Sequence, residues 1–151
     1  MISIPYLKPG WKGINVVSMR FRRVGDGDGP KMLSMPGDRP RLYNTAACLT
    51  SNDNMAICEG EMDTVTASML GLDAVGVQGT QGWRTHWAEI FRGYEKVFIL
   101  ADNDDAGQGM KFAEQVAESL PNARICPAPK GHDINSAFMA LGKESILEGI
   151  K

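Results

Sequence analysis

Little in this chain points to a thiol-based framework. Its three cysteines, Cys48, Cys58 and Cys126, are isolated and form no CxxC pair. That spacing excludes a zinc ribbon and a conventional disulfide scaffold. The two histidines, His86 and His132, lie far apart, which excludes a histidine-rich metal site. The longest purely apolar run, Val97 to Ala101, falls well short of the roughly 20 residues that a membrane-spanning helix needs. No charged segment leads into an apolar stretch at the N-terminus, so no signal peptide is read and a cytoplasmic location is expected. A Walker A sequence is absent, as is any motif supporting a Ser-His-Asp or Cys-His pairing. What remains is an ordinary globular composition, 43% hydrophobic and 23% charged over 151 residues, enough for one domain with a small appendage.

The net charge of -2 conceals an asymmetry. Residues 1–50 hold eight Lys/Arg against three Asp/Glu, a net of +5, whereas residues 51–151 hold eight against fifteen, a net of -7. A basic surface suited to phosphates and an acidic centre suited to cations would account for the split.

The patterning divides the chain at the same place. Residues 1–50 read as a small basic β-rich subdomain: Val17, Met19 and Phe21 alternate with Ser18, Arg20 and Arg22 in a strand over 14–24. A glycine-rich turn at 25–29 follows, then a return strand at 31–34 and an extended stretch at 39–43 around Pro40. The polar run 50–54 is the expected seam. Beyond it, strands over 55–58, 73–77, 96–101 and 124–126 alternate with helices over 63–70, 83–91, 107–120, 134–141 and 144–150. Asp63 is the expected N-cap of the first helix, and Gly71 its end. This order predicts an α/β fold, a parallel sheet flanked by helices with right-handed crossovers.

Ligands gather at the carboxyl ends of the strands in such sheets. Here those ends are acidic: Glu59-Gly-Glu61-Met-Asp63, Asp102-Asn-Asp104-Asp105 and, after the last strand, Asp133. Carboxylates brought together repel unless cations neutralise them, and oxygen ligands without thiols favour Mg²⁺ or Mn²⁺ over zinc. Asp102 and Asp104, two residues apart, would share one side of an extended chain. Asp63 has two competing roles, ligand and helix cap, and Glu61 is a weaker candidate. Asp105 is expected to face solvent. Gly76-Val-Gln-Gly79-Thr-Gln-Gly82 has GxxGxxG spacing and follows the second strand, so it is not a dinucleotide fingerprint. Trp83 and His86 could approach a base, although core packing is the better reading of Trp83.

Together the clusters resemble the TOPRIM domain, the catalytic α/β unit shared by bacterial-type primases, topoisomerases, OLD-family nucleases and RecR-like proteins. The resemblance spans roughly residues 54–151. Within that group the detail is similar to DnaG-type primases and bifunctional phage primase–helicases. Ile57-Cys-Glu-Gly-Glu-Met-Asp63 and Phe98-Ile-Leu-Ala-Asp-Asn-Asp-Asp-Ala-Gly107 resemble their two acidic motifs. Pro129-Lys-Gly-His-Asp-Ile-Asn135 resembles their Lys-Asp-x-Asn/Asp segment, with Gly-His inserted between Lys130 and Asp133. Arg20-Phe-Arg22, Lys31-Met-Leu-Ser34 and Leu42-Tyr43-Asn44 resemble, more loosely, the basic subdomain that precedes TOPRIM in primases.

The resemblance implies a nucleotidyltransferase that makes short RNA primers from ribonucleoside triphosphates on single-stranded DNA. It implies catalytic roles for Glu59, Asp102 and Asp104, and a metal site drawn from Glu59, Asp63, Asp102, Asp104 and Asp133. Arg20, Arg22, Lys31 and Lys130 would contact nucleotide or template, with Arg23 and Arg39 next. The expected cofactor is Mg²⁺ or Mn²⁺, with no zinc in this chain. Such primases carry a zinc-binding module and work with a replicative helicase. Neither motif occurs here, so the chain is read as an excised fragment or as one of several cooperating polypeptides, in the host cytoplasm if phage-encoded. The alternatives are a TOPRIM-type metal-dependent nuclease or phosphoesterase, and a non-catalytic nucleic-acid-binding replisome module.

Overall fold

The computed structural model describes residues 1–150. Two sheets organise them. The first is antiparallel, built from β1 (Ile2–Gly10), β2 (Gly13–Arg22) and β3 (Met32–Ser34) in that order. The sequence pattern anticipates β2 and β3 and is silent on β1, whose Pro5 and Pro9 read as strand breakers. β1 lies at the sheet edge, where a residue without an N–H is tolerated. A bulge between Tyr6 and Leu7 then shifts the register of the β1–β2 hairpin.

The second sheet is parallel and contains β4 (Asn54–Cys58), β5 (Ala74–Gly76), β6 (Lys96–Ala101) and β7 (Ala123–Pro127) in the order β5-β4-β6-β7. Its central strands are buried on both faces, which explains the unbroken apolar run of β6. On one face Met55, Ile57, Val97 and Ile99 pack against Trp83, Trp87, Phe91 and the apolar stripe of α3 (Gln108–Glu118). On the other, Ala56, Cys58, Phe98 and Leu100 meet α1 (Glu61–Met69), α4 (Ile134–Leu141) and α5 (Glu144–Ile150). The result is a helix–sheet–helix sandwich, as the alternating pattern predicts. Leu42 and Ala47 join the first of these cores, and Tyr43 forms an isolated antiparallel bridge with Gly76. The segment joining the two sheets is thereby fastened to the outer strand β5.

Two boundaries differ from expectation. The first helix begins at Glu61 behind Gly60, which is extended at φ -137° and ψ 172°. Asp63 therefore sits inside the first turn and is not the N-cap. The helix expected over 83–91 is a 3-10 turn at Thr85–Trp87 followed by α2, only Ala88–Phe91. Gly71, at φ 87°, ends α1 as expected.

Strand order fixes where a ligand can go. From β4 the chain runs through α1 to β5 on one side, then returns past β4 to β6 on the other. The topological switch point falls between β4 and β6, and a crevice opens outside their carboxyl ends. The next residues in the chain are Glu59 and Asp102.

Candidate functional site

A cleft of about 230 Å³ opens at this switch point. Glu59, Asp63, Asp102 and Asp133 line it on the side of the parallel sheet, and Arg20, Arg22 and Lys31 from the antiparallel sheet line the opposite wall. Seven of the nine residues singled out as catalytic, metal-binding or phosphate-binding thus face one space. The other two do not line it. Asp104 is exposed, and its Oδ1 accepts a hydrogen bond from the Gly107 amide at 3.0 Å in the turn that opens α3. It remains near enough to raise the pKa values of both Glu59 and Asp102. Lys130 is exposed on the loop after β7. Asp105 is exposed, as expected.

The carboxylates are strongly perturbed, each for a physical reason. Burial, reinforced by Asp63, Glu59, Asp133 and Asp104, pushes Asp102 up to about 8. Burial also raises Glu59 to about 7, helped by Asp63, Asp104 and Asp133. Asp63 rises to about 6 through burial and Asp133, partly offset by the Asn135 amide that donates to its Oδ1 at 3.1 Å and by Arg22. Like charges in a half-dry cleft each favour the protonated form of the other. A concentration of such shifts in a concave site is a mark of function.

Two oxygens distinguish this cluster from a set of solvated loop acids. Glu59 Oε2 and Asp102 Oδ1 are both buried and have no hydrogen-bond partner. Buried polar atoms are nearly always paired, and an orphan carboxylate oxygen is costly. Two orphans on one cleft, in an all-oxygen donor set, fit a hard divalent cation such as Mg²⁺ or Mn²⁺. Among the described residues, no three His, Cys, Asp or Glu side chains already form a metal cage. Mg²⁺ does not require one, because it keeps several waters and binds through one or two carboxylates.

The surrounding loops are fastened to one another. The Asn103 amide donates to the His132 carbonyl at 2.9 Å, Gly131 donates back to Asn103 at 2.8 Å, and Asn103 Nδ2 reaches the Ala128 carbonyl at 2.9 Å. Asp133 caps α4: its Oδ1 accepts from the Ser136 amide at 2.6 Å, while Ser136 Oγ accepts from the Asp133 amide at 3.0 Å. Gly109, in the first turn of α3, lies so close to Asp102 that a Cβ there would sit 2.7 Å from the Asp102 Cβ. Only glycine lets α3 start this near the end of β6.

Glu61 has a different task. Its side chain is buried, and its Oε1 accepts from the Tyr6 hydroxyl at 2.6 Å and from Arg20 Nη1 at 2.5 Å. It ties the two sheets together and holds Arg20 at the cleft. Arg20 also donates from Nε to Ser34 Oγ at 3.1 Å. Tyr6, 55 residues from Glu61, gave no local signal in the sequence, and neither did Gln78, which lines the cleft beside Gly79. Trp83 is core, in edge-on contact with Trp87, whereas His86 is exposed away from the cleft.

Comparison with known proteins bears on the family and the fold. Residues 56–138, more than half of the chain, match the Toprim-like family. The Gene 57 protein of Mycobacterium phage D29 is 49% identical over 150 residues, covering 99% of this chain and 97% of that protein. The DNA primase of Chlamydia pneumoniae is 30% identical over 105 residues, 66% of this chain but 18% of the primase. A solved DNA primase domain from Pseudomonas aeruginosa superposes with a TM-score of 0.75 at 27% identity, covering 98% of this chain and 49% of that one. The chain thus spans nearly all of the phage protein, about a fifth of the bacterial primase and about half of the solved domain. It belongs to the Toprim-like family, and its parallel sheet is a TOPRIM domain of the kind carried by DnaG-type primases.

Proposed function

We propose that this chain is the catalytic part of a DNA primase, joining ribonucleotides into short primers on a single-stranded DNA template. The observation that carries the reading is the presence in one cleft of the orphaned carboxylates of Glu59 and Asp102, both raised by burial and by neighbouring acids, together with Arg20, Arg22 and Lys31. The reaction joins the 3′-hydroxyl of one ribonucleotide to the α-phosphate of the next and expels pyrophosphate. A bound Mg²⁺ or Mn²⁺ supplies charge neutralisation on the triphosphate and a lower pKa for the attacking hydroxyl. Asp102 and Glu59, which carry the orphaned oxygens, are the principal residues to hold it; Asp104, a principal ligand by the sequence reading, is a further ligand from the exposed rim, and Asp63 and Asp133 complete the acidic wall directly or through water.

Arg20, Arg22 and Lys31 hold phosphates on the opposite wall, and Lys130 is a fourth contact from the loop after β7. The Glu61 carboxylate orients Arg20 for that work. Residues 1–50 form the basic subdomain in this reading and residues 51–151 the TOPRIM domain. The template, the ribonucleoside triphosphates, a zinc-binding module and a replicative helicase are the proposed partners. The proposed site of action is the cytoplasm, that of the host if the chain is phage-encoded. Among the described residues no helix is long and apolar enough to cross a membrane.

The test is Mg²⁺- or Mn²⁺-dependent synthesis of oligoribonucleotides on mixed-sequence single-stranded DNA, with Asp102→Asn as the paired control. The expected result is product from the parent and none from the variant. A template cut instead of copied would move the assignment to a nuclease. No reaction, with the template intact, would mean that the chain needs a separate zinc-binding partner or serves only to bind.

A further inference from the structure

The β1–β2 hairpin reaches beyond the cleft with a surface that the proposed chemistry does not use. Gly10 pairs with Gly13 across a two-residue turn made of Trp11 and Lys12. Trp11 is 99% exposed, whereas the other tryptophans, Trp83 and Trp87, are buried at 4% and 9%. A fully exposed indole at the tip of a hairpin contributes nothing to the core, and large aromatics stay out of water unless something covers them.

The hairpin itself carries charge of one sign. The first 25 residues contain five Lys/Arg (Lys8, Lys12, Arg20, Arg22 and Arg23) and no Asp or Glu. Register places these charges in order. Ile2 pairs with Arg22, Ile4 with Arg20, Tyr6 with Ser18 and, beyond the bulge, Lys8 with Asn15. Because side chains alternate along β1, residues 2, 4, 6 and 8 share one face with their partners. Lys8, Asn15, Arg20 and Arg22 therefore share a face, Lys8 and Asn15 near the tip and Arg20 and Arg22 at the cleft, separated by the buried pair Tyr6 and Ser18, which hydrogen-bond Glu61 and Asp38. From residue 2 to residue 8 that face is about 20 Å long. Single-stranded sites of this kind take up on the order of four or more nucleotides.

The geometry points to a second contact for single-stranded DNA at the tip of the β1–β2 hairpin, with Trp11 stacking on an unpaired base and Lys8 and Lys12 meeting the flanking phosphates. Two lysines at the tip complement a polyanion, and the exposed aromatic beside them adds the sequence-tolerant stacking typical of single-strand binders. The hairpin so placed holds the template strand at the end of the sheet away from the acidic cleft. The site depends on the primase reading only in that the strand it holds is the template. It makes no use of Asp102 or the other acids.

The experiment is the binding of a fluorescein-labelled oligothymidylate to the full chain, followed by anisotropy, for the parent, Asp102→Asn, Trp11→Ala, Trp11→Phe and the Lys8→Gln/Lys12→Gln double variant. Trp11→Ala is expected to weaken binding about 10-fold, and Trp11→Phe, which keeps a ring, to restore most of the loss. The lysine variant is expected to flatten the dependence of log K on log salt by about 1.4, the value for two lost phosphate contacts on a single strand. Since the tip is exposed, the Trp11 and Lys8/Lys12 variants should melt with the parent. Equal affinity of Trp11→Ala and the parent would overturn the inference and leave the tip as a surface for a protein. Failure of the parent to bind the oligonucleotide would overturn it as well. Loss of primer synthesis with this ranking intact would instead count against the proposed reaction alone.

Discussion

At Asp102 and Glu59 burial and repulsion act in the same direction, and the consequence is a pH dependence of opposite sign to that of a salt-bridged acid. An unfolded Asp or Glu titrates near pH 4. In the folded chain Asp63 titrates at about 6, Glu59 at about 7 and Asp102 at about 8. Between the unfolded and folded values the native state binds more protons than the unfolded one, so unfolding free energy falls as pH rises. The metal-free protein is therefore expected to be most stable toward the acid end of the window from pH 4 to 8 and to lose stability through it. Asp102→Asn should flatten the upper part of that slope. Added Mg²⁺ should stabilise more at pH 8 than at pH 6, because ligands must shed protons to bind it. Urea denaturation at a series of pH values, with and without Mg²⁺, measures all three effects. Stability rising from pH 5 to 8 without metal would contradict the electrostatics of the cleft.

Among the elements, the contact between the first turn of α1 and the β1–β2 hairpin determines how the basic wall faces the acidic one. Glu61 accepts both the Tyr6 hydroxyl and the Arg20 guanidinium on one buried oxygen. Removing it leaves Arg20 Nη1 and the Tyr6 hydroxyl without their shared acceptor in a largely dry place. Glu61→Ala is expected to cost about 3 kcal/mol of stability, and Glu61→Gln less, since an amide oxygen still accepts from Tyr6. Chemical denaturation of the two variants, with Tyr6→Phe closing a double-mutant cycle, gives the coupling. A loss below about 0.5 kcal/mol for Glu61→Ala would mean that the pair behaves as a surface ion pair. The sequence could not expose this element-level design. Glu61 stands in an acidic motif and reads as one more carboxylate, and its partners lie 55 and 41 positions away. The same blindness hid β1, where Pro5 and Pro9 disguise an edge strand, and moved the start of α1, where an extended Gly60 holds the N-cap position expected of Asp63 without a side-chain cap. Local signals succeed where burial and periodicity agree, as in β6 and α3, and fail where a distant partner decides.

Across the whole molecule, the charge asymmetry seen in composition becomes a spatial one: a basic antiparallel sheet set against the acidic rim of a parallel sheet, with the cleft between them. The α/β order, the parallel sheet and the acidic strand ends were legible because each is a local pattern repeated along the chain. Which carboxylates meet was not, since Asp104 and Lys130 sit as close in sequence to the motifs as Asp102 and Asp133 but turn toward solvent. The switch point between β4 and β6 makes the difference. It places Glu59 and Asp102 side by side and leaves an orphaned oxygen on each. That this pair holds a divalent cation is the claim on which the proposed chemistry rests. Mn²⁺ binding followed by electron paramagnetic resonance at pH 8, for the parent, Asp102→Asn and Glu59→Gln, tests it without requiring template, nucleotide or partner. Saturable binding by the parent, weakened about 10-fold or more in each variant, is the predicted result, because affinity follows the number of charged ligands. Equal binding by all three proteins would place the ion elsewhere and contradict the account.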